Sequence, residues 1–296
     1  MNEQRQWLKQ RVNSGSTAWF AGAQDALSAL LVDQSAFEGV FTTGFGISAS
    51  LLGQPDMELY TLSENLAVVD HIANVVRKPI FADADTGYGN VLNTQRTVRA
   101  FEKAGVAALS LEDQISPKRC PAAVSTSITL PLADAVAKIR AAVDARRDPN
   151  LLIVARTDVM DPNEALERAV RYAEAGADLI QPITRTFSCY EDLVRLRQAC
   201  GRPLSLQLME GTWMASLERA QIEAVAGLAT YPIVSVLTVV HALRVNLAAL
   251  AERCGQPMGE LPCPRATMAD FKQLIGWHDL EHQQERLELG TAGRAL

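Results

Sequence analysis

The stretch Pro79–Asn90 reads PIFADADTGYGN: an apolar run leads straight into two aspartates one residue apart, Asp83 and Asp85, and then into a glycine-rich turn. A short apolar run bounded by turn residues reads as a buried strand. Carboxylates at the end of such a strand are costly unless something there uses them. On an extended chain the two side chains point to the same side, roughly 7 Å apart.

Outward from this stretch the chain alternates. Short β-branched or apolar runs lie near Ala18–Ala21, Gly39–Thr43, Pro79–Ala84, Ala107–Glu112, Leu151–Arg156, Leu179–Ile183, Leu204–Leu208 and Leu228–Tyr231, each followed by a segment with helical spacing. TLSENLAVVDHIANVV opens with Thr61 and Glu64 at capping-box spacing, and TQRTVRAFEKAG and EALERAVRYAEAG end at Gly105 and Gly176, as helices capped by glycine do. Strand–helix alternation specifies a parallel sheet, and eight such units specify an α/β fold of the (β/α)8 TIM-barrel type. The first and eighth strands carry the weakest patterns. The barrel is expected over residues 1–255. Beyond it, GQPMGELPCPR is a connector, and ATMADFKQLIGWHDLEHQQERLEL reads as one or two amphipathic helices. Residues 256–296 would thus be a helical tail packing on the barrel or on a neighbouring subunit.

Composition narrows the classes. A 48% hydrophobic chain of 296 residues can fill a large core, and a net charge of −6 gives no support for nucleic-acid binding. The first sixteen residues lack the apolar core of a signal peptide. LATYPIVSVLTVVHALRVNLAAL comes closest to a membrane span, but Arg244 and Asn246 interrupt it, so no membrane is expected. Five cysteines, Cys120, Cys189, Cys200, Cys254 and Cys263, form no C-x-x-C pair. That pattern suggests reduced thiols in the cytoplasm.

The active face of such a barrel lies at the carboxyl ends of its strands. Asp83 and Asp85 fall there, as do Glu112 and Asp113 in LEDQ, Asp158 in IVARTD and Glu210 after the seventh strand. Crowded carboxylates repel one another unless a cation joins them, and oxygen ligands without histidine suit Mg²⁺ or Mn²⁺ rather than Zn²⁺. A lone strand-end aspartate more often caps a turn, which is the expectation for Asp113 and Asp158 taken singly. Other motifs weigh less. GFGISA, from Gly44, matches a dinucleotide-binding pattern with Glu64 at the expected distance, but Glu64 reads as a helix opener. His278 and His282 stand one helical turn apart with no third ligand in view.

Together FADADTGYGN, LEDQISPKRC, IVARTD and GFGISASLLGQPD resemble the isocitrate lyase/phosphoenolpyruvate mutase superfamily, in particular its short methylisocitrate lyase, dimethylmalate lyase and carboxyphosphonoenolpyruvate mutase-like members. The resemblance implies that Asp85 binds Mg²⁺ directly, with Asp56, Asp83 and Glu112 holding its waters. It implies that Thr43, Gly44 and Phe45 bind a substrate carboxylate together with Arg156 and Asp83, and that Gln207 and Glu210 face the substrate. Residues 115–129 would form a gate, with Cys120 protonating the carbanion left by C–C cleavage. Lys118 and Arg119 suit a thiolate there. The tail helices would be exchanged within a homo-oligomer, a tetramer or dimer.

Three positions depart from the family pattern. Pro121-Ala122 stand where lyases have Gly-His, Phe41 where they often have tyrosine, and Ile183 where they have glutamate. The metal half of the site looks complete; the half that recognises a second acid group looks rebuilt and more apolar. The expected activity is a Mg²⁺-dependent carbon–carbon lyase on a small 2-hydroxy- or 2-oxo-carboxylic acid. An oxaloacetate-type decarboxylase or hydrolase comes next, then a phosphonate mutase. From another class, a barrel that binds a metal–acid complex without turnover is the alternative.

Overall fold

The computed structural model describes residues 2–120 and 128–292. Eight parallel strands close into a barrel in chain order: β1 (Ala18–Ala23), β2 (Gly39–Thr42), β3 (Ile80–Asp83), β4 (Ala108–Glu112), β5 (Leu152–Thr157), β6 (Leu179–Pro182), β7 (Leu204–Gln207) and β8 (Ala226–Tyr231). β1 pairs with both β2 and β8, which closes the ring. All eight expected strands are present, including the first and last. A register shift between Leu204 and Ser205 marks the β7–β8 ladder, and β8 begins at Ala226 rather than Leu228.

Two cores follow from the alternation of side chains along each strand. One lies within the ring: Phe20, Phe41, Phe81, Leu152, Val154, Leu179 and Leu228 pack together, joined by Leu8 and Val12 of the helix Asn2–Asn13. Phe81 meets Phe20 edge-on at 6.1 Å and Phe41 at 4.9 Å. The other core is the larger layer between strands and helices. The helices start and stop where their sequences say. Thr61 and Glu64 form the capping box of the helix Leu62–Ala73. Gly105 ends the helix Val91–Ala104 at φ +97°, and Gly176 stands at φ +100° beyond Pro162–Glu174. Glu64 is spent on that cap, so it cannot serve a dinucleotide ribose.

The chain divides into two compact units, Met1–Val236 and Leu237–Leu296. The boundary expected at Gly255 from composition falls inside the second. The helix Val234–Glu252 is long and apolar enough to cross a membrane by length and composition, and of its residues only Val236 is buried. Within the second unit, Asn246 exchanges hydrogen bonds with the backbone of Cys263, both at 2.9 Å. The tail helices run Met268–Leu274 and Trp277–Ala292. His278 pairs with Glu281 at 3.1 Å on an exposed face.

Candidate active site

Asp83 is the last residue of β3, and the chain then turns sharply. Asp85, Gly87, Tyr88 and Gly89 all have positive φ, at 49°, 82°, 58° and 139°. The extended-chain geometry expected for the Asp83–Asp85 pair therefore does not hold. Asp85 sits in a left-handed turn and donates its N–H to Asp83 Oδ1 at 3.2 Å. Two non-glycine residues at positive φ within four positions is local strain of the kind concentrated at functional sites. The turn folds both carboxylates against Gly44. A Cβ on Gly44 would stand 2.8 Å from the Tyr60 hydroxyl, 3.0 Å from Asp83 Oδ2 and 3.3 Å from Asp85 Oδ1, so only glycine admits this approach.

Neighbouring elements complete the cluster. Ser48 donates to the carbonyls of Gln54 and Pro55 and shapes the loop that carries Asp56. The ladder register sets Glu112 of β4 opposite Arg156 of β5, and Arg156 opposite Gln181 of β6. Arg156 reaches Glu112 Oε2 at 3.0 Å and Asp158 Oδ1 at 2.7 Å. Lys118 Nζ stands 2.8 Å from both Asp56 Oδ2 and Asp85 Oδ1. Asp113 accepts from Arg168, Tyr172 and the N–H of Asp158, which is a structural part.

These groups are short of positive charge. Among the described residues, Asp56 and Asp85 pair with Lys118, Glu112 and Asp158 pair with Arg156, Asp83 has no ion pair, and all seven are buried or nearly so. Burial raises Asp56, Asp83 and Glu112. Asp83 stands at about 6, with Asp85 adding to the burial, and Arg156 and Lys118 only partly offset the burial of Glu112. Burial alone would pull the Lys118 ammonium down, but Asp85, Glu112, Asp56 and Asp83 around it hold it well above its ordinary value.

A divalent cation fits this donor set. Asp56 Oδ1, both Glu112 oxygens, Asp85 Oδ1 and the Tyr60 hydroxyl are buried without a hydrogen-bond partner among the described residues. Two of them, Asp85 Oδ1 and Glu112 Oε2, lie within ion-pair distance of Lys118 and Arg156 without hydrogen-bond alignment. All are oxygens, as Mg²⁺ or Mn²⁺ requires. Among the described residues no three acidic, histidine or cysteine side chains are already closed on one point; Lys118 spans two of the carboxylates.

A cavity of about 580 Å³ opens beside the cluster. Of the residues expected at the site, Thr43, Phe45, Asp56, Asp83, Cys120, Arg156, Gln207 and Glu210 line it. Gly44, Asp85, Glu112 and Lys118 lie behind that lining, in the cluster described above. Thr43 caps the helix Gly44–Leu52, whose first-turn N–H groups have no intrahelical partner and suit a carboxylate. Gln207 Oε1 is buried without a hydrogen-bond partner among the described residues, while its amide N–H donates to Gln181 Oε1 at 3.4 Å. Phe41 and Ile183, two of the departures, also line the cavity, with Met209, Trp213 and Ile233. Thr184 and Arg185 line it too. The third departure, Pro121-Ala122, and the central part of the expected gate lie outside the described residues.

The sequence reading missed several members. Asn65 donates to Asp83 O at 3.0 Å and to the Tyr88 hydroxyl at 2.7 Å, and Tyr88 donates to Asp85 Oδ2 at 2.6 Å. Tyr88 lies inside PIFADADTGYGN, three residues after Asp85. Asn65 carried a fainter mark, a polar residue on the buried face of an amphipathic helix. Tyr60 and Gln181 carried none.

Fold and site define a (β/α)8-barrel enzyme with an acidic, oxygen-lined centre at the strand ends. The family model for phosphoenolpyruvate phosphomutase matches residues 8–254. The chain is 36% identical over 273 residues to 2,3-dimethylmalate lyase of Eubacterium barkeri, covering 91% of this chain and 93% of that protein. It is 36% identical over 264 residues to 2-methylisocitrate lyase of Aeropyrum pernix, covering 88% and 83%. Oxaloacetate acetylhydrolase in complex with 3,3-difluorooxalacetate superposes with a TM-score of 0.85 at 27% identity, covering 100% of this chain and 99% of that one. The chain belongs to the phosphoenolpyruvate mutase/isocitrate lyase family and is an enzyme, which sets aside the reading of a barrel that binds without turnover.

Proposed function

We propose that this enzyme cleaves a carbon–carbon bond in a small 2-hydroxy- or 2-oxo-carboxylic acid and depends on Mg²⁺, with Mn²⁺ as a substitute. The observation that carries the reading is the buried acidic cluster, short of positive charge, opening onto the same cavity as Arg156 and Cys120. Asp85 would hold the metal, with Asp56, Asp83 and Glu112 ordering its waters. When bound, the metal supplies stabilisation of negative charge on the oxygen next to the scissile bond. Arg156 and the N-terminus of the helix Gly44–Leu52 bind the substrate carboxylate, and Gln207 offers its amide to the same molecule. Cys120 gives its proton to the carbon released by cleavage, and Lys118 stabilises the thiolate that remains. We further propose a cytoplasmic homo-oligomer in which the tail helices pack on a neighbouring subunit.

The rebuilt half of the cavity bears on the substrate. Phe41, Ile183, Met209, Trp213 and Ile233 present carbon to the distal part of the acid. A carboxylate buried there without partners is unfavourable by several kcal/mol. Arg185 and Thr184 border the same space, and Arg185 is the group that would have to turn to a distal carboxylate for such an acid to be accepted. A second reading, hydrolysis or decarboxylation of an oxaloacetate-like acid, is favoured by Phe41. Its ring packs on Phe81 and offers no base for a substrate hydroxyl, which a 2-oxo acid does not need.

The test is a panel of 2,3-dimethylmalate, 2-methylisocitrate and oxaloacetate with purified protein and MgCl₂, following pyruvate, oxalate and acetate. Metal-dependent release from dimethylmalate or oxaloacetate, with kcat/KM above that for methylisocitrate, is expected. Clear preference for methylisocitrate overturns the reading of the apolar wall, and no product from any acid overturns the assignment as a whole.

A further inference from the structure

Three consecutive backbone N–H groups, those of Lys118, Arg119 and Cys120, are each docked on the rest of the site. Lys118 N–H donates to Glu58 Oε2 at 2.8 Å, Arg119 N–H to Gln114 Oε1 at 3.0 Å, and Cys120 N–H to the Asp56 carbonyl at 3.1 Å. Glu58 is the member with a second attachment. Its other oxygen accepts the Thr86 hydroxyl at 2.5 Å. Thr86 follows Asp85 directly, and its carbonyl accepts from Lys138. One carboxylate therefore ties the turn that carries Asp85 to the segment that carries Lys118 and Cys120. Glu58 also has φ +54°, a conformation that costs energy for a residue with a Cβ and persists only where the surroundings hold it. A carboxylate used merely to cap a loop needs neither the strained backbone nor two partners on different elements.

We propose that Glu58 is a positioning residue for the reaction: its two oxygens hold Lys118 and Cys120 in register with Asp85. The inference rests on the roles proposed above for Cys120 and Lys118. Glu58 is not among the residues that line the cavity. It fixes the distance between the acidic cluster and the proton donor by accepting from the Thr86 hydroxyl, next to Asp85, and from the Lys118 N–H, two residues before Cys120. The amide of Gln114 does the same for Arg119, but its carbonyl has one partner where Glu58 has two.

The experiment compares Glu58→Ala with Glu58→Gln in the full-length enzyme. Glutamine can accept from the Lys118 N–H through its carbonyl and donate to the Thr86 hydroxyl through its amide, so it can keep both links; alanine keeps neither. The substrate-free readout is the rate at which iodoacetamide alkylates Cys120, followed by peptide mass. The catalytic readout is kcat and KM on the best acid of the panel, with the melting temperature measured alongside. Loss of a hydrogen bond to a charged group predicts a rise in alkylation and a fall in kcat of about tenfold or more in Glu58→Ala. KM and melting temperature should change little, and both readouts should return in Glu58→Gln. Unchanged alkylation in Glu58→Ala overturns the proposal. So does faster alkylation with full turnover. In that case Cys120→Ala locates the failure: retained turnover places it in the role given to Cys120, lost turnover in the role given to Glu58.

Discussion

Replacing Lys118 by methionine separates the ammonium's charge from its bulk. Its Nζ lies 2.8 Å from Asp56 Oδ2 and 2.8 Å from Asp85 Oδ1, with 1% of the side chain exposed. Removing one partner of a buried ion pair leaves the other charge uncompensated, at a cost of about 3–5 kcal/mol. Here two carboxylates lose their nearest cation, so the metal-free variant should be destabilised by at least the lower figure. For a domain of this size each kcal/mol shifts the melting temperature by about 2–4 °C, which gives a fall of about 6 °C or more in EDTA. Mg²⁺ replaces the lost charge and in the wild type must share these carboxylates with Lys118. Saturating Mg²⁺ should therefore raise the melting temperature of Lys118→Met by several degrees more than that of the wild type, and its Mg²⁺ affinity should be higher. Scanning calorimetry with and without the metal, and titration calorimetry, check both. If the two proteins melt within about 2 °C in EDTA, or gain equally from Mg²⁺, Lys118 is not the cation that the acidic cluster depends on.

Asp85→Ala is expected to abolish Mg²⁺ binding and turnover while far-UV circular dichroism stays unchanged; titration calorimetry showing unaltered affinity removes Asp85 from the metal site. Asp83 stands at about 6 in the folded chain against 3.8 ordinarily, so the folded state binds the extra proton and the metal-free protein should gain stability as pH falls from about 7 to about 4. Mg²⁺ affinity should move the other way, weakening by up to about tenfold per pH unit below about 6, and a flat affinity between pH 7.5 and 5.5 contradicts the assignment. Leu280 and Leu287 of the helix Trp277–Ala292 are each 65% exposed, and light scattering at micromolar concentration should report a homo-oligomer; a monomer rules out the exchanged tail.

The strands were legible because their signal is local. Even β1 and β8, whose patterns were weakest, formed because a ring of eight cannot close without them. Asp83 and Glu112 were legible for the opposite reason, as charges at the ends of apolar runs. The geometry of Asp85 was not, since a left-handed turn at a non-glycine residue depends on what surrounds it, here Lys118, Tyr88 and the bare backbone of Gly44. Asn65, Tyr60 and Glu58 join the site through tertiary contacts that no spacing encodes. The boundary read at Gly255 rests on a proline- and glycine-rich connector, and such a connector marks the end of a helix. The compact units part within the helix Val234–Glu252, where hydrogen bonding continues although burial stops after Val236.

The two halves of the cavity differ in how freely they can change. The polar half is interlocked: Lys118 serves Asp56 and Asp85, Arg156 serves Glu112 and Asp158, and Tyr88 links Asn65 to Asp85. Altering one member strands a buried partner, at about 1–3 kcal/mol for a neutral group and more for a charge. The apolar half is less tightly coupled: Trp213 donates its indole N–H to the Thr184 carbonyl at 2.8 Å, but Ile183, Met209 and Ile233 carry no side-chain nitrogen or oxygen to strand. Ile183, Met209 and Ile233 border the cavity, and exchanging one apolar side chain for another of similar volume costs less than about 1.5 kcal/mol. Phe41 is the exception, because it belongs both to the cavity wall and to the core within the ring, where it packs on Phe81. A hydroxyl added there must find a partner beside that core. Phe41 would therefore join the choice of substrate to the packing of the barrel, and a change of acid is expected to run through the wall formed by the ends of β6, β7 and β8 and the loops after them, with the carboxylates left in place.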